Sequence, residues 1–185
     1  MAVSKKSRCW WFVQLLENLP ADWRTQLHEL MIPGAYIVHD RDTVTDDEGV
    51  EKPKKPHVHC ILEFGNAVRA DTVLQALPAS FGVLFCKPVP NKVGAYRYLV
   101  HIGQEDKAQY DLSEVVDMAG FSVNLSNVMN VDFGDVYQLI TELEITSFSA
   151  LLALLVEHKP EYLDYVTAHV NLVKSFVNDY ARHTL

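Results

Sequence analysis

The sequence predicts an α+β fold: a ferredoxin-like β-α-β-β-α-β antiparallel sheet, an added helix that closes it, and a small all-α C-terminal domain. Three observations carry this prediction. Apolar runs with strand-like and helix-like periods follow one another in that order up to Gly103. Beyond residue 132 only the helical period remains. Charge divides at nearly the same place: residues 1–110 hold thirteen Lys or Arg against thirteen Asp or Glu, and residues 111–185 hold three against eleven. The whole net charge of −8 therefore lies in the last 75 residues, which read as a separate acidic domain poorly suited to DNA.

Each element has its own signal. "CWWFVQLLE" (9–17) is aromatic and β-prone, hence a strand. Trp23, Leu27, Leu30 and Met31 repeat at helical spacing. Pro33-Gly34 turns the chain into a second strand ending "YIVHDRD". Residues 43–56 are polar, charged and broken by prolines, so they read as a loop. "HVHCILEF" (57–64) is the third strand, with Val58, Cys60, Leu62 and Phe64 on an oily face and His57 and His59 together on the other. Val73, Leu74 and Leu77 mark a helix stopped near Pro78, and residues 83–90 read as a fourth strand. A closing helix begins at Asn91, a good N-cap, and stops by Gly103. In this topology strands one and three are central, so the histidine pair lies mid-sheet on the face left open by the helices.

Residues 113–132 lack periodicity and read as a connector between residues 1–112 and a helical domain at 133–185. Val136, Leu139, Ile140 and Leu143 mark one helix of that domain, and Phe148, Leu151, Leu152 and Leu155 a second. Pro160 opens a third that carries Leu163, Val166, Val170, Val173 and Val177. These apolar positions exceed what one face needs. Burial against another subunit or against the first domain would absorb them.

Nearly half the residues, 49%, are hydrophobic, enough for one or two domains with real cores. Cys9, Cys60 and Cys86 form no C-x-x-C and read as buried thiols of a reducing compartment. No leader-like segment opens the chain and no apolar run is long enough to cross a bilayer, so a cytoplasmic location is expected.

The chemistry gathers around the histidines. H-x-H alone is weak, and a surface or hydrogen-bonded pair explains it as well as a metal does. The second strand adds His39 and Asp42 where it leaves the sheet next to strand three. Three imidazoles and a carboxylate would make a mixed nitrogen and oxygen site for Mn²⁺ or Mg²⁺, and one that also accepts Zn²⁺, Ni²⁺ or Co²⁺. Asp40, Asp46 and Asp47 compete with Asp42, which ranks first because Asp40 would point away from His39. The closing helix carries Tyr96 and Tyr98. At 100° per residue Tyr96 falls in the apolar stripe with Val93, Leu99 and Val100, whereas Tyr98 lies opposite, beside His101, either simply exposed or free to act as a nucleophile.

Taken in order, "HDRD", "KKPHVH", "YRYLVH" and "DKAQYD" resemble the RepB-like replication initiators of small rolling-circle plasmids, within the HUH endonucleases. The resemblance is strong over 36–64 and 93–111 and rests on helix pattern alone after 130. It implies a bacterial protein that nicks one strand of single-stranded or hairpin origin DNA. His39, Asp42, His57 and His59 match the family's metal ligands, and Tyr98, the second tyrosine of Y-x-Y, its nucleophile. The resemblance further implies a link from tyrosine to the 5′-phosphate, a free 3′-OH that primes synthesis, later strand transfer, and oligomerisation through the C-terminal helices. Lys54, Lys55 and Arg97 are candidate DNA contacts. The acidic "DDE" at 46–48 departs from a DNA-binding surface. Two rivals share the pattern: an RRM-like module stacking bases on Trp10, Trp11 and Phe12, and a metal hydrolase using water with Tyr98 a bystander.

Overall fold

The computed structural model describes residues 5–184. The chain forms two compact units, Met1–Ser122 and Val123–Leu185.

The first unit is built on five antiparallel strands. In chain order these are β1 (Ser7–Leu15), β2 (Gly34–His39), β5 (His57–Val68), β6 (Lys87–Pro88) and β7 (Val116–Met118), and in space they run β6-β1-β5-β2-β7. Strands β1 and β5 are thus central, as the ferredoxin-like pattern requires. One face carries α1 (Trp23–Glu29) and α2 (Ala70–Ala76). Their Trp23, Leu27 and Val73 join Trp10, Phe12, Val58, Cys60 and Leu62 in one core. The alternation of β1 and β5 fixes this: Trp10 and Phe12 point inward, so Trp11 and Val13 must point to the other face, together with His57 and His59. Cys9, Cys60 and Cys86 are buried and free. Burial raises all three thiols, Cys9 to about 11, so none is a ready thiolate.

Four details of the first 132 residues depart from the sequence reading. The face opposite α1 and α2 is not open over the histidines, because α3 (Lys92–Leu99) and the chain after it cover them; His57 and His59 are buried. Segment 43–56 is no plain loop: β3 (Thr43–Thr45) and β4 (Glu51–Pro53) form a hairpin whose turn is held by Asp46 Oδ1, which accepts from the amides of Glu48 and Val50. Residues 83–90 supply only two paired residues. Pro88 and Pro90 have no amide to extend a ladder, and Val83–Cys86 stay outside the sheet. Finally, the stretch 113–132 supplies β7, which pairs with β2, and α4 (Leu125–Met129) of the second unit.

The second unit contains α4, α5 (Phe133–Glu142), α6 (Phe148–His158), α7 (Pro160–Ala168) and α8 (Val170–Thr184). Asn124, Asp132 and Ser147 cap α4, α5 and α6 by accepting amide hydrogens, and Pro160 opens α7. Val136, Ile140, Leu151, Leu155, Val166, Val173 and Val177 form its core. The third helix expected from the sequence is divided at His169, where the ring stacks on Tyr165 at 4.2 Å and Nδ1 donates to the Tyr165 carbonyl. No glycine or proline marks that break. Among the described residues no helix is long and apolar enough to cross a membrane.

Candidate metal and tyrosine site

His39 ends β2 and His57 begins β5, and the two are directly paired across the sheet. His59 follows two residues later on the same face. The ring centroids of His39 lie 5.4 Å from His57 and 4.6 Å from His59. Ligand atoms of the three histidines fall within 4.8 Å of one another.

Main-chain carbonyls set the ring chemistry. His39 Nε2 donates to the Leu99 carbonyl at 2.7 Å, and His57 Nδ1 donates to the Lys55 carbonyl at 2.9 Å. Each ring therefore turns its lone-pair nitrogen toward the centre of the cluster. Those nitrogens, His39 Nδ1 and His57 Nε2, together with His59 Nδ1, are buried without a hydrogen-bond partner among the described residues. Burial, helped by the neighbouring imidazoles, pushes His39 down to about 4 and His59 to about 2, and lowers His57 as well. At neutral pH all three are uncharged, the form that ligates metal.

Asp42 rather than Asp40 faces this cluster. It is buried, whereas Asp40 is exposed. Its Oδ1 accepts from the Tyr110 hydroxyl at 3.2 Å. Its Oδ2 stands 3.5 Å from His39 Nδ1 and 3.7 Å from His57 Nε2, too far for hydrogen bonds. With both imidazoles neutral these contacts are not ion pairs. A carboxylate oxygen aimed at buried lone pairs is repulsive unless a cation is shared among them. Two overlapping groups of ligand atoms lie close enough to hold a metal, His39, His57 and His59 in one and His39, Asp42 and His101 in the other; with Asp42 Oδ2 facing His39 and His57, a donor set of His39, His57, His59 and Asp42 would fit a divalent ion. Three nitrogens to one oxygen suit Mn²⁺, Zn²⁺, Ni²⁺ or Co²⁺ better than Mg²⁺, which prefers oxygen ligands.

Tyr98 and Tyr96 separate as helical phase predicts. Tyr96 is buried, donates to Asp117 Oδ1 at 3.3 Å, and is held well above its ordinary value, first by that burial. Tyr98 is half-buried over the histidines, with its ring 5.5 Å from His59 and edge-on to Trp11 at 5.2 Å.

Three neighbours escaped the sequence reading as site residues. His101 adopts a left-handed backbone (φ 59°) just past α3, donates from Nδ1 to the Ala108 carbonyl at 2.7 Å, and lies 4.5 Å from His39 ring to ring. Tyr110 stacks on His39 at 4.4 Å while it holds Asp42, and Arg41 lies over the Tyr110 ring and pairs with Glu114. Lys107 reaches the Tyr98 hydroxyl. The "DKAQY" string was the available signal, but its spacing from Tyr98 carries no helical or strand period. Of the candidate DNA contacts, Lys54 and Lys55 are exposed at the entrance to β5, Lys55 in an ion pair with Glu17, and Arg97 is half-buried on α3.

Residues 2–124 match the family described as plasmid replication protein, origin binding domain. The chain belongs to that family. It is 29% identical over 146 residues to a replication protein RepB of Lactiplantibacillus plantarum, covering 75% of this chain and 60% of that protein. Against a replication protein RepB of Streptococcus agalactiae it is 27% identical over 136 residues, covering 69% and 64%. The chain thus spans about three fifths of the length of these curated relatives.

Proposed function

We propose that this chain initiates rolling-circle plasmid replication by nicking one strand of single-stranded or hairpin origin DNA with Tyr98. The observation that carries the reading is the half-buried Tyr98 ring set 5.5 Å from His59, beside three buried imidazole nitrogens with no partner among the described residues. His39, Asp42, His57 and His59 would hold the divalent ion, Mn²⁺ first. When bound, that ion supplies charge neutralisation and alignment of the scissile phosphate. Tyr98 Oη attacks phosphorus; the bond from phosphorus to the 3′-oxygen breaks as that from phosphorus to Oη forms. The phenolic proton is released and the departing 3′-oxygen takes one up, leaving a free 3′-OH and a 5′-phosphotyrosine. The linkage conserves the phosphodiester bond, so strand transfer can reseal it without ATP. Lys107 favours the step by placing positive charge at the attacking oxygen.

The origin-binding family assignment supports DNA as partner, and an RRM-like reading is disfavoured because two of its three candidate stacking rings, Trp10 and Phe12, are buried in the helix-side core. For the second unit we propose self-association through apolar side chains outside its core, among them Leu143, Val156 and Leu172. The test of the central reading is incubation with a labelled single-stranded oligonucleotide carrying candidate origin sequence and Mn²⁺. An SDS-stable adduct mapped to Tyr98 is expected. Cleavage without any adduct would point instead to a hydrolase using water.

A further inference from the structure

We infer that the groove between β1 and the unpaired segment before β6 is a stacking subsite for unpaired DNA bases next to the Tyr98 phosphate. The inference rests on the nuclease reading for the position of that phosphate, but its own observations are separate. Residues 83–86 are apolar, yet they do not join the sheet: Leu84 is 90% exposed and Phe85 65% exposed. Large apolar side chains held this far out of a core call for a ligand more than isolated surface residues do. The segment is pinned in place, since Gln14 Nε2 donates to the carbonyls of Phe81 and Gly82 at 2.8 and 3.0 Å. Trp11, Leu84, Phe85 and Lys87 line a groove of about 470 Å³. Trp11 and Lys87 also line a second groove, which ends at Tyr98. The two grooves share Trp11 and Lys87: Trp11 packs edge-on against Tyr98 in the second, and Phe85 lines the first.

The chemistry along these grooves matches single-stranded DNA. Trp11 and Phe85 offer rings for bases, which stack with little regard to sequence. Lys87 lies 5.9 Å from the Phe85 ring and forms no ion pair among the described residues, so its charge is available to a backbone phosphate. A duplex keeps its bases stacked on each other and gains nothing from such rings. The subsite therefore favours an unpaired or extruded strand, the form a nicking tyrosine must reach.

The test uses the full chain in EDTA, with fluorescein-labelled dT20 followed by anisotropy, so that binding is read without cleavage. Phe85→Ala is expected to weaken binding at least fivefold with unchanged melting temperature, and Phe85→Trp to restore it. Lys87→Ala should flatten the slope of log affinity against log salt by about 0.7. Of the three tryptophans only Trp11 is not fully buried, so dT20 should quench emission in the native chain and not in Trp11→Phe. A loss below fivefold for Phe85→Ala, or equal quenching in Trp11→Phe, overturns the subsite. A change in oligomer mass on Phe85→Ala with dT20 binding intact also overturns it and identifies a self-association surface. A chain that binds dT20 through Phe85 but forms no adduct on origin DNA keeps the subsite and refutes the nuclease.

Discussion

Lys107 Nζ donates to the Tyr98 hydroxyl at 3.4 Å and lies 4.7 Å from the centre of the same ring. One flexible side chain, outside the helix that carries the tyrosine, thus places a charge at the hydroxyl that the proposed mechanism uses as nucleophile. Lys107→Ala is expected to slow adduct formation about tenfold or more, equivalent to ~1.4 kcal/mol of transition-state stabilisation. Lys107→Arg should recover most of the rate. Single-turnover rates at saturating oligonucleotide measure this, and a rate unchanged in the alanine variant would remove Lys107 from the mechanism.

Tyr98→Phe should bind DNA and metal, melt like the parent, and form no adduct, since losing the long contact between its hydroxyl and Lys107 costs little net stability. Tyr96→Phe should keep the adduct but lose the hydrogen bond to Asp117, at a cost of about 1 kcal/mol. Tyr96→Ala should destabilise the unit by roughly 3–5 kcal/mol because the ring is buried. Peptide mapping of trapped adduct together with denaturant unfolding resolves all three.

Metal binding is expected to register as stability. At a hundredfold excess over the dissociation constant, Mn²⁺ should stabilise the folded chain by ~2.7 kcal/mol, which is roughly 5–10 °C in melting temperature. His57→Ala and Asp42→Asn should abolish the shift. Mn²⁺ bound per chain, counted by electron paramagnetic resonance, should fall with it. A full shift in both variants would place the ion elsewhere.

Without metal, acid should unfold this chain earlier than its carboxylates alone would require. Burial holds His39 at about 4 against an ordinary 6.5, and His57 and His59 are also lowered. Below 6.5 the unfolded chain takes up protons that the folded chain refuses, so stability falls as pH falls. His39 contributes up to ~1.4 kcal/mol per pH unit over the window from 6.5 to about 4. Unfolding by urea at pH 7 and pH 5 in EDTA tests this. His39→Gln, which has no proton to gain, should show the shallower loss.

Self-association should reside in the second unit. The full chain is expected to exceed monomer mass in light scattering, and residues 1–122 to remain monomeric. Equal monomeric masses would discard the oligomerisation role.

What was legible in the sequence was whatever repeats or pairs locally. The order of strands and helices, the two cores, the convergence of His39 on His57 and the opposite phases of Tyr96 and Tyr98 all follow from period and hairpin geometry. The misses are long-range or main-chain effects. β7 is only three residues long and becomes a strand because β2 offers it an edge. Val83–Cys86 has a strand-like composition, but only Lys87 and Pro88 pair with β1, and a short run of apolar residues does not reveal which part of it finds a partner. Tyr110 and Lys107 reach the site through irregular chain after α3, where no period exists to be read.

The carbonyls of Leu99, Lys55 and Ala108 orient His39, His57 and His101. Every amino acid brings the same carbonyl, so this layer of the site has no side chain that drift can delete. Lys55 and Ala108 are free to change identity while the rings keep their tautomers. Leu99 is constrained only through its packing on the end of α3, where it is fully buried. Mutational tolerance around the histidines should accordingly track backbone shape more than residue identity.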